Sequence, residues 1–307
     1  MKPAIEATHL EKTFRDFWHR PNVTAVKDVS LTVPAGMVYG LLGPNGSGKS
    51  TTLKMLLGLL RPSKGTLRVL GGNPHDHMVQ QRVGYLPEVS TMYRYLSATE
   101  TLDFYGSLFN LPASTRKERI AELLALVGLS SAGKRPAGEF SRGMNRRLGL
   151  AQALVNNPDV LILDEPTAGL DPIGCHHVKS LLRRLAEAGK TVLIASHLLA
   201  DIEDICNEIT ILHHGNVIAQ GPIRDLLTKD GTITWTSNAS PEQRDAITAA
   251  LRDLTGTSPE VSASRTNLES FFIKSVLDAG QPEKAASTTD QADLHLPAFL
   301  QIPQQAT

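Results

Sequence analysis

Cysteine is scarce in this 307-residue chain: only Cys175 and Cys206 occur, and there is no CxxC pair. Neither a disulfide framework nor a zinc site is indicated, and a reducing cytosol is the expected setting. An excess of charge is also missing, because 31 basic residues balance 31 acidic ones. A dedicated nucleic-acid binder needs clustered Lys and Arg to meet phosphates, so no nucleic-acid partner is expected. No apolar run approaches the roughly 20 residues that cross a bilayer. Met1-Lys2-Pro3-Ala4-Ile5-Glu6 lacks the basic start and apolar stretch of a secretion signal. Any membrane role should therefore come through a partner. The hydrophobic content of 41% is that of an ordinary soluble protein. The length suits one large core with a smaller appended unit.

What the chain does have is Gly43-Pro44-Asn45-Gly46-Ser47-Gly48-Lys49-Ser50-Thr51, which fits the phosphate-loop pattern G-x-x-x-x-G-K-[ST]. Gly43, Gly46 and Gly48 let the backbone turn its N–H groups towards an anionic chain. Lys49 would place an ammonium beside the β- and γ-phosphates of a nucleotide, and the Ser50 hydroxyl could ligate the Mg²⁺ bridging them. Residues 37–42 are apolar and read as a buried strand entering the loop. Leu53, Met55, Leu56 and Leu59 give the next segment a helical apolar face. That helix would aim its positive N-terminal end at the phosphates.

Further along, residues 5–10, 23–33 and 65–70 read as strands, with an aromatic and basic turn at 14–21. From about 97 to 157 the pattern is helical, in three segments stopped by Gly128 and by Asn157-Pro158. This stretch is expected to be a helical lobe hung from a mixed sheet. Val160-Leu161-Ile162-Leu163-Asp164-Glu165 is an apolar strand ending in two acids, and residues 191–195 form another that delivers Ser196-His197. Strand, helix and strand at these lengths make a parallel α/β sheet, whose ligands gather beyond the carboxyl ends of the strands. Lys49, Asp164, Glu165 and His197 all fall at such ends. His75 and His77 read as a solvated loop, and His213-His214-Gly215 as a hairpin turn, rather than as metal ligands. Residues 231–279 are expected to form a small α+β accessory unit. Residues 280–307, rich in Ala, Thr, Gln and Pro, read as a disordered tail, although Phe299-Leu300-Gln301-Ile302 could dock.

Asp164 ends its strand where a phosphate-loop ATPase holds Mg²⁺, and Glu165 beside it could polarise the attacking water. With these motifs in order, residues 4–225 resemble the ATP-binding subunits of ABC transporters. Residues 43–51 match the Walker A of that family and residues 160–165 its Walker B. Ala168-Gly169-Leu170-Asp171 matches the D-loop, His197 the switch histidine, and Phe140-Ser141-Arg142-Gly143-Met144 the signature. The resemblance implies a phosphate-loop fold with a mixed, mainly parallel sheet, an antiparallel β subdomain and the helical lobe, all within residues 1–230. It also implies two copies, or one copy and a homologous ATPase subunit, dimerised head to tail. ATP would lie between Walker A of one and Ser141, Gly143, Met144 and Asp171 of the other. Lys49, Glu165 and His197 would be catalytic, Ser50, Asp164 and Glu88 would hold Mg²⁺, and Phe14 would stack on adenine. Trp18 is a weaker candidate for that stacking. Two departures stand out: Arg142 and Met144 replace a glycine and a glutamine of the usual L-S-G-G-Q, and Glu88 stands at the Q-loop glutamine. Both point to the branch working with ABC-2-type export permeases, on the inner face of the cell membrane. An ABC-type ATPase of DNA maintenance is disfavoured, since there is no long heptad run and only one Walker A. A cytosolic ATPase in an assembly or regulatory role, without transport, is the alternative.

Overall fold

The computed structural model describes residues 2–16, 21–89, 91–228, 241–256 and 295–301. Its chain begins with β1 (Ile5–Arg15), β2 (Pro21–Val33), β3 (Val38–Leu42), α1 (Lys49–Leu56), β4 (Lys64–Val69), α2 (His77–Gln80) and β5 (Val83–Leu86). Three longer helices follow: α3 (Ala98–Leu108), α4 (Ala113–Leu126) and α5 (Arg142–Leu154). The sheet resumes with β6 (Val160–Asp164), α6 (Pro172–Glu187), β7 (Thr191–Ser196), α7 (Leu199–Ile205), β8 (Glu208–His213) and β9 (Asn216–Pro222). α8 (Ile223–Leu227) and α9 (Pro241–Thr255) complete the regular elements.

The strands form one nine-stranded sheet in the order β4-β1-β2-β9-β8-β3-β7-β6-β5. Five neighbours, β8, β3, β7, β6 and β5, run parallel. β1, β2 and β4 pair antiparallel, as do β8 and β9. The expected combination of a mainly parallel core with an antiparallel part is thus what the chain adopts. Period-2 alternation in the middle strands explains why they are apolar throughout. Val38 and Leu42, Leu161 and Leu163, and Val192 and Ile194 face the helices of the lobe together with α6 and α7. Tyr39 and Leu41, Val160 and Ile162, and Leu193 and Ala195 face the opposite core, where α1 packs with β1, β2 and β4. Both faces are covered, so only the strand ends reach solvent.

Helix boundaries follow local chemistry. Ser97 caps α3 through a full capping box with Glu100, Ser141 caps α5 by accepting from Met144 N, and Asp171 caps α6 ahead of Pro172. The chain divides into two units, residues 1–226 with 281–307, and residues 227–280. The described residues of the second unit are Leu227, Thr228, α9 and Gly256, with α9 at the position where an amphipathic helix is expected; the strand and second helix expected there lie outside the described residues, as does Trp18.

Residues 295–301 depart from the disordered tail that composition suggests. Leu296 and Leu300 are buried in the lobe-side core, Leu300 to 0% exposure. Phe299 lies 4.2 Å from the Arg119 guanidinium of α4 in a cation–π contact, and Gln301 Nε2 donates to Leu296 O. Three apolar side chains around one 3₁₀ turn, Ala298–Leu300, are enough to hold a short segment, and averaging over a polar window conceals them. Leu300→Ala is expected to lower unfolding free energy by about 2–4 kcal/mol, the usual cost of truncating a fully buried leucine. Urea denaturation checks this, and an unchanged midpoint would show that the segment adds nothing to the fold.

Candidate nucleotide site

The phosphate loop leaves β3 and enters α1 through backbone conformations that only glycine takes readily. Gly43 has φ +153° and Gly48 φ +105°, and a Cβ on either would collide with backbone, Leu212 O at the first and Ala25 O at the second. Gly46 faces open space. The loop is braced from behind by the β8–β9 turn, where Gly215 N donates to Ser47 O and Lys27 N to Gly215 O. Lys49 Nζ folds back onto the loop, donating to Gly43 O and, at 3.2 Å, to Pro44 O. Those carbonyls are weak partners for an ammonium, and phosphate oxygens would compete well for it. Ser47 Oγ is buried with no partner. Such an orphan beside a cradle of N–H groups suits an anion.

A cavity of about 520 Å³ opens over this loop. It is lined by residues 44–51 together with Glu88, Asp164, Glu165 and His197. The strand ends therefore bring together Lys49, Ser50, both acids, the Q-loop glutamate and the switch histidine, as the sequence pattern anticipates. Its far side is made by Val23, Thr24, Ala25, Lys27 and His214. Phe14 is not among the lining residues; it is exposed on β1, paired with Val23, with Lys12 Nζ 5.5 Å from its ring. Ser141 and Asp171 also lie outside the cavity, each occupied in capping its own helix. Gly143 and Met144 stand in the first turn behind Ser141. None of these four lines this chain's own cavity.

Glu165 is the most constrained residue of the site. It holds φ +52°, uncommon for a non-glycine residue and a conformation of the kind that collects at functional sites. Its carboxylate accepts from Ser196 Oγ at 2.9 Å and His197 N at 2.9 Å, and lies 2.6 Å from His197 Nδ1. The base candidate and the switch histidine are thus bonded to each other, with the His197 side chain still 54% exposed. Beyond β7, Asp201 on α7 accepts from Thr167 Oγ1 and pairs with Lys179 of α6, which also holds Asp204.

Asp164 is different. Burial, followed by the neighbouring charges of Glu88 and Glu165, pushes its carboxyl up to about 6. Lys49 and Arg146 oppose this without cancelling it. No three His, Cys, Asp or Glu side chains among the described residues are placed to hold a metal by themselves. A hydroxyl, one or two carboxylates and phosphate oxygens do suit Mg²⁺, which keeps few protein ligands.

Three contributors escape the motif reading. Arg146, on the buried face of α5, reaches backbone oxygens at the ends of β5 and β6. Ser196 appears in the sequence only as the residue before His197, yet it anchors Glu165. His214 reads as a turn residue, and so it is (φ +47°), but the turn also borders the cavity.

A glycine-turned loop between a buried parallel strand and a helix, with an acid-ended strand in the same sheet, defines a phosphate-loop nucleotide hydrolase. Comparison with known proteins narrows the class. Residues 26–168 match the profile of the ABC transporter family. An ABC transporter ATP-binding protein of Nostoc is 39% identical over 89% of each chain. Nod factor export ATP-binding protein I of Ralstonia nicotianae is 41% identical over 67% of this chain and 65% of its own. A solved dimeric ATP-binding cassette in a post-hydrolysis state, bound to ADP and Pi, superposes with a TM-score of 0.66 at 25% identity, over 72% of this chain and 99% of its own. The chain belongs to the ATP-binding proteins of ABC transporters and is an ATPase of that family.

The raised Asp164 carboxyl has a thermodynamic consequence. Its folded value lies above that of the unfolded chain, so its contribution to stability is complete below about 4 and is lost as pH rises through about 6. Above that, the empty protein carries an ionised, buried acid at a cost of no more than about 3 kcal/mol. Asp164→Asn is expected to raise the melting temperature of nucleotide-free protein at pH 7.5, to leave it unchanged at pH 4.5, and to abolish turnover. Scanning calorimetry at the two pH values checks the sign.

Proposed function

We propose that this chain drives export through a separate ABC-2-type membrane permease on the inner face of the membrane, by ATP-dependent pairing of two copies. The observation that carries the reading is the Glu165–His197 pair at the mouth of a phosphate-loop cavity. Lys49 leaves the Gly43 and Pro44 carbonyls for the β- and γ-phosphates. Mg²⁺ held by Ser50, Asp164 and Glu88 would neutralise charge on those phosphates. His197 swings its exposed ring from Glu165 towards the γ-phosphate, which frees a lone pair on the oxygen that His197 N still holds, and this orients water. Ser196 Oγ keeps the other oxygen in place. Phe14, across from Val23 at the cavity rim, is within reach of an adenine entering from that side. Ser141 of a second copy closes the site: its oxygen already accepts from Met144 N, which leaves the hydroxyl hydrogen to donate to a γ-phosphate oxygen. The Gly143 N–H and the dipole of α5 add to that attraction.

Transport requires a permease, and the surface beside the Q-loop suits one. Tyr93, Tyr95 and Phe104 form a chain of ring contacts at 5.9 and 5.7 Å. They are exposed together with Val89 and Leu108, Tyr95 to 76%. A contiguous aromatic surface of this kind marks a protein contact. Among the described residues no helix is long and apolar enough to cross a membrane. The relative named for Nod factor export supports the outward direction.

Glu165→Gln should cut turnover by about 10²-fold or more and collect an ATP-bound dimer on a sizing column. Native turnover in that variant would remove the base assignment. Tyr95→Asp should leave ATP hydrolysis by the isolated subunit within about twofold, since surface changes away from a site cost little, while lowering recovery of the permease in pull-downs from native membranes. Undiminished recovery would place the permease contact elsewhere.

A further inference from the structure

Arg146 is 5% exposed, and no motif requires it. Its guanidinium donates to Pro87 O and Glu88 O beyond β5, and to Asp164 O, Glu165 O and Pro166 O at and beyond the end of β6. Carbonyls that run off a strand end lose their ladder partners and ordinarily turn to water. Here a single planar fork of five N–H donors takes the place of that water. Burial pulls the guanidinium below its ordinary value, and the charges of Asp164, Glu165 and Glu88 hold it up. The group is therefore fixed by geometry and by charge to the three acids of the cavity.

Arg146 also belongs to α5, whose N-cap is Ser141. Five residue steps of helix separate them, about 7.5 Å at 1.5 Å per residue. An α-helix does not stretch over that distance. Any displacement of the Glu88 loop or of the Asp164–Glu165 strand end must either break bonds to the fork or carry α5 with it. The adjacent Arg147 makes no such bridge, since it reaches Val127 O and Gly128 O inside the helical lobe.

We propose that Arg146 is a positioning residue that couples the metal and water-orienting acids of this chain to Ser141, and through Ser141 to the ATP held by a second copy. The inference rests on the reading that two copies share each ATP. It adds a direction of coupling that the shared site alone does not supply: the state of one cavity sets the orientation of the helix that completes the other. The Glu88 loop, β6 and α5 then act as one body with two discrete arrangements.

Mixed dimers of two differently tagged chains test this. One chain carries Glu165→Gln together with Arg146→Lys, so its own cavity does not turn over. The other chain is natural, and its ATP is completed by Ser141 of the altered chain. Lysine keeps the charge but offers its donors from one point and cannot span five carbonyls. Against the same dimer bearing Glu165→Gln alone, turnover is expected to fall about tenfold, as for a catalytic group misplaced by a fraction of an ångström, with the KM for ATP within about threefold. Equal turnover in the two dimers overturns the inference. A fall matched by an equal rise in KM and a lower melting temperature overturns it too, since Arg146 then only holds the chain together. Arg146→Gln makes the same comparison should the lysine chain not fold. If Glu165→Gln chains do not pair in ATP at all, the shared-site reading fails, and this coupling fails with it; pairing with equal turnover removes the coupling alone.

Discussion

Three carboxylates, Glu88, Asp164 and Glu165, line one crevice with Lys27 and Lys49, and the buried Arg146 guanidinium lies beside them. The rest of the site follows from how those charges are placed. Ionised groups withdrawn from water are costly unless paired, and the protein treats each acid differently. Glu165 is satisfied by three donors from the end of β7. Asp164 is left short of donors and rises to about 6. A divalent cation carried in by a triphosphate would relieve the charge on Asp164 and Glu88. The parallel sheet makes this possible, because both of its faces are packed and only its strand ends are free to carry charge.

The same arrangement would suit a site with two states. His197 N and Nδ1 both meet one oxygen of Glu165, and turning the ring away would open a lone pair there for water while the backbone bond stays. Movement is confined to a short stretch. Ser196 stays on Glu165 and also accepts from Leu198 N, and α7 is tied down one turn later by Asp201 to Thr167 and Lys179. The histidine would thus swing on a segment pinned at both ends, and one of those pins, Thr167, immediately precedes Ala168-Gly169-Leu170-Asp171. A switch built this way answers to nucleotide through a change of hydrogen-bond partner rather than a large rearrangement of backbone.

The residues that were legible in the sequence are those whose chemistry demands a fixed local order. A phosphate loop needs its glycines and lysine at set spacing, and an acid closing an apolar strand can only emerge at the strand end, so Lys49, Asp164, Glu165 and His197 could be brought together from pattern alone. The apolar runs at 37–42, 160–165 and 191–195 announced buried strands of a parallel sheet for the same reason. What stayed hidden depends on contacts between distant segments. Arg146 meets acceptors that are all backbone, and backbone carries no sequence signal. Ser196 and His214 act through tertiary neighbours, while Leu296 and Leu300 are outvoted by the polar residues around them. Phe14 shows the opposite case, an expectation carried by family position that the geometry leaves at the rim of the cavity.

The aromatic surface gains meaning from where its loop begins. Glu88 lines the cavity, Val89 follows it exposed, and Tyr93 and Tyr95 lie a few residues further on. The Pro87 and Glu88 carbonyls are held by Arg146, so the loop has a fixed root. At the outer end Gly138 N donates to Arg94 O and Ala137 N to Leu96 O, which ties the loop to the segment leading into the signature helix. A permease seated on the tyrosines would therefore grip a lever attached at one end to the acids and at the other to α5. Force or binding energy applied there cannot reach one without reaching the other, and this is the mechanical requirement for making transport and hydrolysis depend on each other.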